Sequence, residues 1–171
     1  LQVRDPAEAV AELLHIGSLL YGWSDRGVLM HCAHALAAGR LGADHPATLR
    51  LLRARIFNER QHGRAAEALQ LADAFAAQAA RRPGAEAEGL IALNQSERMG
   101  ALEMLGRYGD ALAAGQVALD WLQQRSPLPQ GNLMRIRYNM AGLALAMADA
   151  DAAERHALAA IGHAEASHDA S

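Results

Sequence analysis

The chain is expected to be all-α, an array of about four two-helix units, and three observations predict it. The first is composition: 51% of the 171 residues are hydrophobic, Ala and Leu dominate, and aromatics make up only 4%. A sheet packs best with branched and ring side chains, whereas Ala and Leu are the strongest helix formers. The second is spacing, because apolar residues recur at three- and four-residue intervals on both sides of short Gly- or Pro-containing breaks. The third is a repeated phrase, "HGRAAEAL" at His62 to Leu69 and "LGRYGDAL" at Leu105 to Leu112. Gly63 and Gly106 are 43 residues apart, and "ADADAAER" follows 42 residues later with Ala148 in the glycine's place. Ala153 then stands where Ala68 and Ala111 stand, and 41 residues upstream of Gly63 lies Gly22, with Gly27 in the alanine's position. Units at 5–43, 44–84, 85–127 and 128–168 account for nearly the whole chain as a single domain, and a fixed period of this length is the mark of a solenoid.

Taken in order, helices are predicted at Pro6 to Tyr21, Asp25 to Leu41, Pro46 to Gln61, Ala65 to Ala80, Ala87 to Leu105, Tyr108 to Gln124, Gln130 to Met147 and Asp151 to Ala166. Asp5-Pro6 and His45-Pro46 put proline at a first helical turn, where its missing N–H costs nothing. "RRPGAE" at Arg81 to Glu86 and "RSPLPQGN" at Arg125 to Asn132 carry the breakers expected between units. Within a unit the glycine of the phrase is the hinge, ending one helix in a left-handed or tightly turned residue. The alanine five positions on sits early in the next helix, where a small side chain lets the two helices approach.

Charge and cysteine usage exclude several function classes. The net charge is −3, with 16 basic and 19 acidic residues spread along the chain, so no positive field is available to hold a phosphate backbone and direct nucleic-acid contact is not expected. Cys32 is the only cysteine, so no intramolecular disulfide can form; it is expected to be a small buried hydrophobe in a cytoplasmic protein. No stretch is apolar over the roughly 20 residues a membrane span needs, so no membrane contact is expected. The opening "LQVRDPAEAV" has no initiator Met and no signal-peptide core, and the chain is expected to be a segment of a longer protein.

"LGRYGDALAAGQVAL" resembles a tetratricopeptide repeat, and the resemblance extends over essentially the full chain. Gly106, Tyr108, Ala111 and Ala118 match that family's turn glycine, turn aromatic and two small positions of the second helix, while "ADADAAERHALAA" matches with Ala153 and Ala160. There are departures: Met99 and Ile56 stand where a glycine is expected in the first helix, Gly115 stands where an aromatic is usual, and the period exceeds the family's roughly 34 residues. Longer units of this kind resemble the tetratricopeptide-like segments of large bacterial signalling proteins, such as maltose-regulator-type transcription activators and some diguanylate cyclases.

The resemblance implies a right-handed superhelix whose concave side, lined by the first helix of each unit, holds a peptide, another protein or a small effector. Carried over by position, the groove residues are Glu12 in the first unit, Arg50, Arg53 and Phe57 in the second, Ser96 and Gly100 in the third, and Arg135, Tyr138, Asn139 and Gly142 in the fourth. "LRLLRARIFNER" puts Arg50 and Arg53 one turn apart on one face, and "MRIRYNM" puts Tyr138 three residues after Arg135. Guanidinium groups suit carboxylate or phosphate recognition through paired N–H donors, and a tyrosine adds a ring with an orienting hydroxyl. The expected function is a non-catalytic protein- or effector-binding module, the sensor or regulatory region of a bacterial signalling or transcription-regulatory protein.

"HCAH" sets His31 and His34 on one helical face beside Cys32, but no third ligand is fixed by spacing; His31 and His34 are expected to pack inward and no metal is expected. His156 and His163 are expected to be ordinary surface or end-contact residues. No phosphate-cradling loop, paired-His motif or nucleophile elbow is present, and Glu97 and Glu103 are spaced six apart, off a common face, so neither catalysis nor a cofactor is expected. Met99, Met104, Met134, Met140 and Met147 are expected mostly to fill the core, Trp121 and Leu122 to pack into the next unit, and Trp23 to sit partly exposed at a turn. The last helix keeps an apolar stripe at Ala153, Ala157, Leu158 and Ile161, which predicts self-association as a homodimer through terminal helices and leaves an architectural oligomerisation segment as the alternative function.

Overall fold

A computed structural model describes residues 5, 8–10, 12, 13, 15, 25–82 and 84–168, and among them it is all-α, without a strand. Helical residues 8–10, 12, 13 and 15 precede seven helices: α1 (Asp25–Leu41), α2 (Pro46–Gln61), α3 (Ala65–Ala79), α4 (Ala85–Met104), α5 (Tyr108–Gln123), α6 (Gln130–Ala146) and α7 (Ala150–His168). These bounds match the expected ones to within two residues; the rest of the helix expected at Pro6 to Tyr21, with Gly22 and Trp23, lies outside the described residues. The chain divides into two compact units, residues 1–97 and 98–171, with the boundary inside α4.

The repeated phrase folds three times into one turn. At Gly63 (φ 78°), Gly106 (φ 72°) and Ala148 (φ 60°) the backbone is left-handed. In each turn that residue's N–H donates to the carbonyl three positions back, and the next N–H to the carbonyl five back: Gly63 to Arg60 and Arg64 to Glu59, Gly106 to Glu103 and Arg107 to Leu102, Ala148 to Leu145 and Asp149 to Ala144. This double bond pattern satisfies carbonyls that the end of a helix leaves without partners. The following helix starts one residue later, and the shared alanines Ala68, Ala111 and Ala153 are 0%, 0% and 5% exposed. Gly27, in the same register, lies so close to α2 that a β-carbon there would stand 3.0 Å from Nδ2 of Asn58. The third turn, which lacks the glycine, carries a helix cap that the other two do not: Asp149 Oδ1 accepts from the Ala152 N–H, whereas neither Arg64 nor Arg107 makes such a bond.

In unit 1, α2 packs on α1 and α3. Pro46 opens α2 and His45 caps it through Nδ1, which accepts from the Ala47 N–H. Leu49, Leu51, Leu52 and Ile56 are buried to 0–1% exposure, and Val10, Ala33 and Ala37 close on Ala47 and Leu51. Asn94 Nδ2 on α4 donates to the Ala72 carbonyl of α3 at 2.9 Å.

In unit 2, α6 packs on α5 and α7. Here the two sequence departures explain one another. A β-carbon on Gly115 of α5 would lie 2.8 Å from Sδ of Met99 and 3.2 Å from Met140, so the long thioether on the first helix occupies the room that the bare glycine leaves on the second.

Several packing expectations are corrected. His31 and Cys32 are exposed and His34 is half-buried; the core positions of α1 are Met30, Ala33 and Ala37, a phase that an Ala-rich helix does not announce by side-chain size. Met104 and Met147 are 48% and 49% exposed, while Met99 and Met140 are core residues. The apolar stripe expected on α7 is uncovered at Ala157, Leu158 and Ile161, the last two 61% and 55% exposed, and only Ala153 departs from it, being buried in line with Ala160. Of the two residues expected to pack inward late in α5, Leu122 is buried as expected and Trp121 is half-buried beneath the Arg125 guanidinium, 3.8 Å above its ring.

Candidate binding site

The apolar side of α2 is spent on the core, which leaves its arginines along the remaining surface. The helix carries Arg50, Arg53, Arg55 and Arg60 against a single acid, Glu59. Arg50 is exposed, and Arg53, Phe57 and Arg60 are half-buried. The residues at 50, 53, 57 and 60 follow the three-, four-, three-residue rhythm that keeps side chains on one helix face.

At the centre of this face stands Glu97 of α4, only 3% exposed. Arg53 Nε lies 3.7 Å from its Oε1 and Arg60 Nη2 lies 3.6 Å from its Oε2, so two guanidiniums flank one buried carboxylate from opposite oxygens. The same Arg60 guanidinium sits 5.3 Å from the centroid of the Phe57 ring, within cation–π range. Removing a carboxylate from water is costly unless cations and hydrogen bonds replace the lost hydration, and Arg53 and Arg60 supply that charge while their side chains keep 30% and 22% exposure. Both contacts are charge pairs beyond hydrogen-bond distance, and Glu97 Oε2 accepts no hydrogen bond, so the arrangement gathers two guanidiniums and an aromatic face on one helix without locking their orientation, a surface suited to carboxylate groups arriving from outside.

The expected groove residues fall into two separate groups. In unit 1 the structure brings Arg50, Arg53 and Phe57 onto one face of α2, and places Ser96 beside Glu97, buried, with its hydroxyl donating to the Leu93 carbonyl at 2.8 Å. In unit 2, Arg135 and Asn139 are half-buried on α6 and Tyr138 is 71% exposed. Glu97 and Arg60 were missed as members of the site. Arg60 lies seven residues beyond Arg53, two turns along the same face, and that spacing was the available signal; nothing local marks Glu97 as the carboxylate they approach.

Two concavities flank this region within unit 1. One, of about 220 Å³, is lined by Pro46, Leu49, Ala79, Ala87 and Leu90, with Arg82 donating to Asp44 at 2.9 Å beside it. That hydrogen bond holds the Asp44 carboxyl below the usual carboxylate range. The other, of about 440 Å³, is bounded by Gly27, Val28 and His31 on α1 and by Glu59, His62 and Arg64 at the far end of α2, where Glu59 and Arg64 pair with each other. His34 is held below the ordinary histidine value first by burial, then by the charge of Arg55 and by His31. Among the described residues no three His, Cys, Asp or Glu side chains group closely enough to hold a metal ion, and no helix is long and apolar enough to cross a membrane.

Neither a protein family nor a curated protein sequence significantly matches the chain.

Proposed function

We propose that this chain is a non-catalytic binding module, the sensor or regulatory region of a larger bacterial cytoplasmic protein, and that the Arg50–Arg53–Phe57–Arg60 face of α2 takes a carboxylate-rich peptide segment of a partner protein. The observation that carries this reading is the buried Glu97 between Arg53 and Arg60, which draws two guanidiniums together on a helix with four arginines and one acid, in a chain whose net charge is −3. Opposite charges across such a contact set the partner's identity and speed the encounter. The helix-turn-helix organisation supports a repeat module of the tetratricopeptide kind, which this proposal adopts.

The test is fluorescence anisotropy with acidic, neutral and basic peptides of matched length, on the unmodified chain and on an Arg50→Glu, Arg53→Glu variant. The expected outcome is binding of acidic peptides alone, weakened about tenfold or more by the variant. Equal binding by both proteins, or no preference for acidic peptides, overturns the reading. A second reading, assembly through the end of the array, is favoured by the exposed Leu158 and Ile161 of α7. A monomer throughout a concentration series in light scattering removes it.

A further inference from the structure

The α6–α7 seam is tied by two polar rungs. Gln130 and Arg137 stand seven residues apart on α6, and His163 and His156 stand seven apart on α7, so two turns of one helix face two turns of its antiparallel neighbour. Nδ1 of His163 lies 2.7 Å from Oε1 of Gln130, and Nη1 of Arg137 lies 3.1 Å from Nδ1 of His156. Both histidines are half-buried.

The two rungs answer protonation differently. A glutamine oxygen accepts, so His163 donates through Nδ1 whether its ring is neutral or charged. A guanidinium only donates, so Nδ1 of His156 must accept, and it can do so only in the neutral ring with its proton on Nε2. We infer that α7 is docked on α6 by a proton-sensitive clasp: protonation of His156 removes the acceptor that Arg137 donates to, sets two cations against each other in the seam, and loosens α7. The apolar part of the seam is asymmetric: α6 contributes Leu133, Ile136, Met140 and Leu143, whereas the buried side chains of α7 are the alanines Ala153 and Ala160, so the two polar rungs are the side-chain hydrogen bonds that α7 itself brings to it.

The surrounding charges agree with that geometry. His156 is held below the ordinary histidine value by burial first, then by Arg137 across the seam and Arg155 on its own helix, with Asp149 at the preceding turn opposing them. His163 is lowered by burial and by Arg137. A folded value below the unfolded one means that the unfolded chain binds more protons in the window between the two. Stability is therefore complete above the unfolded histidine value of about 6.5 and falls as pH drops through it. The clasp belongs to unit 2 and does not depend on what α2 binds.

The test is hydrogen exchange of the whole chain at about pH 7.5 and about pH 5.5, corrected for the intrinsic pH dependence of exchange. The expected result is a loss of α7 protection on acidification that is about tenfold greater than any loss in α2, and a His156→Asn variant, whose side-chain oxygen still accepts from Arg137, in which most of that loss is gone and only the smaller part due to His163 remains. Unchanged α7 protection, or an equal loss in the variant, overturns the clasp. Should the variant not fold, titration of the ring proton signals of the unmodified chain decides: His156 is expected to titrate below the ordinary histidine value, and titration at or above it overturns the inference.

Discussion

Both units bury part of an arginine, in different company. In unit 1, Arg53 and Arg60 stand 3.7 and 3.6 Å from the two oxygens of the Glu97 carboxylate; in unit 2, Arg137 stands 3.1 Å from a ring nitrogen of His156. Opposite charges draw the first group together, and removal of the acid would leave two guanidiniums facing each other. The second is a hydrogen bond to a neutral ring, and a single proton turns it into repulsion. The difference makes one seam a fixed feature able to gather donors for a ligand, and the other a joint that responds to pH.

The largest expected effect sharpens this contrast. Glu97→Ala is predicted to lower stability by about 2 kcal/mol, because it opens a gap at a 3% exposed position and leaves two guanidiniums without the carboxylate between them, a cost tempered by their partial exposure; urea unfolding measures it. A cost of about 0.5 kcal/mol or less, the level of an unremarkable surface change, would break the contrast by showing that the carboxylate holds nothing in place.

Next in size are the turns, which the units share and which isolate backbone cost from side-chain chemistry. Gly106→Ala is predicted to destabilise by about 1–2 kcal/mol: nothing lies within 4 Å of the added carbon, so the left-handed φ of 72° is the whole cost. Ala148→Gly, at φ 60°, is predicted to stabilise by about 0.5–1 kcal/mol, since relief of the same strain is partly offset by the greater freedom of glycine in the unfolded chain. Thermal unfolding of the pair tests the equivalence of the turns, and shifts of the same sign would refute it.

The remaining prediction concerns pH dependence. Between neutral and mildly acidic pH, stability should fall as His156 and His163 take up protons that the folded seam disfavours, and a His156→Asn, His163→Asn variant should flatten that slope. An unchanged slope in the variant would place the acid sensitivity elsewhere.

What was legible in the sequence was local. The turn phrase, the proline at the start of α2 and the breakers between units place helix ends through bonds spanning at most five residues, and α1 and α2 begin and end where expected. What was not legible depends on which helix faces which. Glu97 meets Arg53 and Arg60 across sequence separations that no spacing rule connects, and His156 and His163 meet partners on α6 only because α7 runs back along it. The inward phase expected for His31 and His34 left His31 exposed and His34 half-buried, and Cys32, expected to be buried, is exposed, because α1 packs through Ala33 and Ala37 while Ala35 stands on its exposed side.

Whether α2 is the binding face is decided by an NMR titration of the full chain with an acidic peptide, following backbone amide and arginine Nε signals. The perturbed signals are expected to cluster on α2 at Arg50, Arg53, Phe57 and Arg60. Perturbations confined to the Leu158–Ile161 face of α7, or none at peptide saturation of the accessible range, would contradict it.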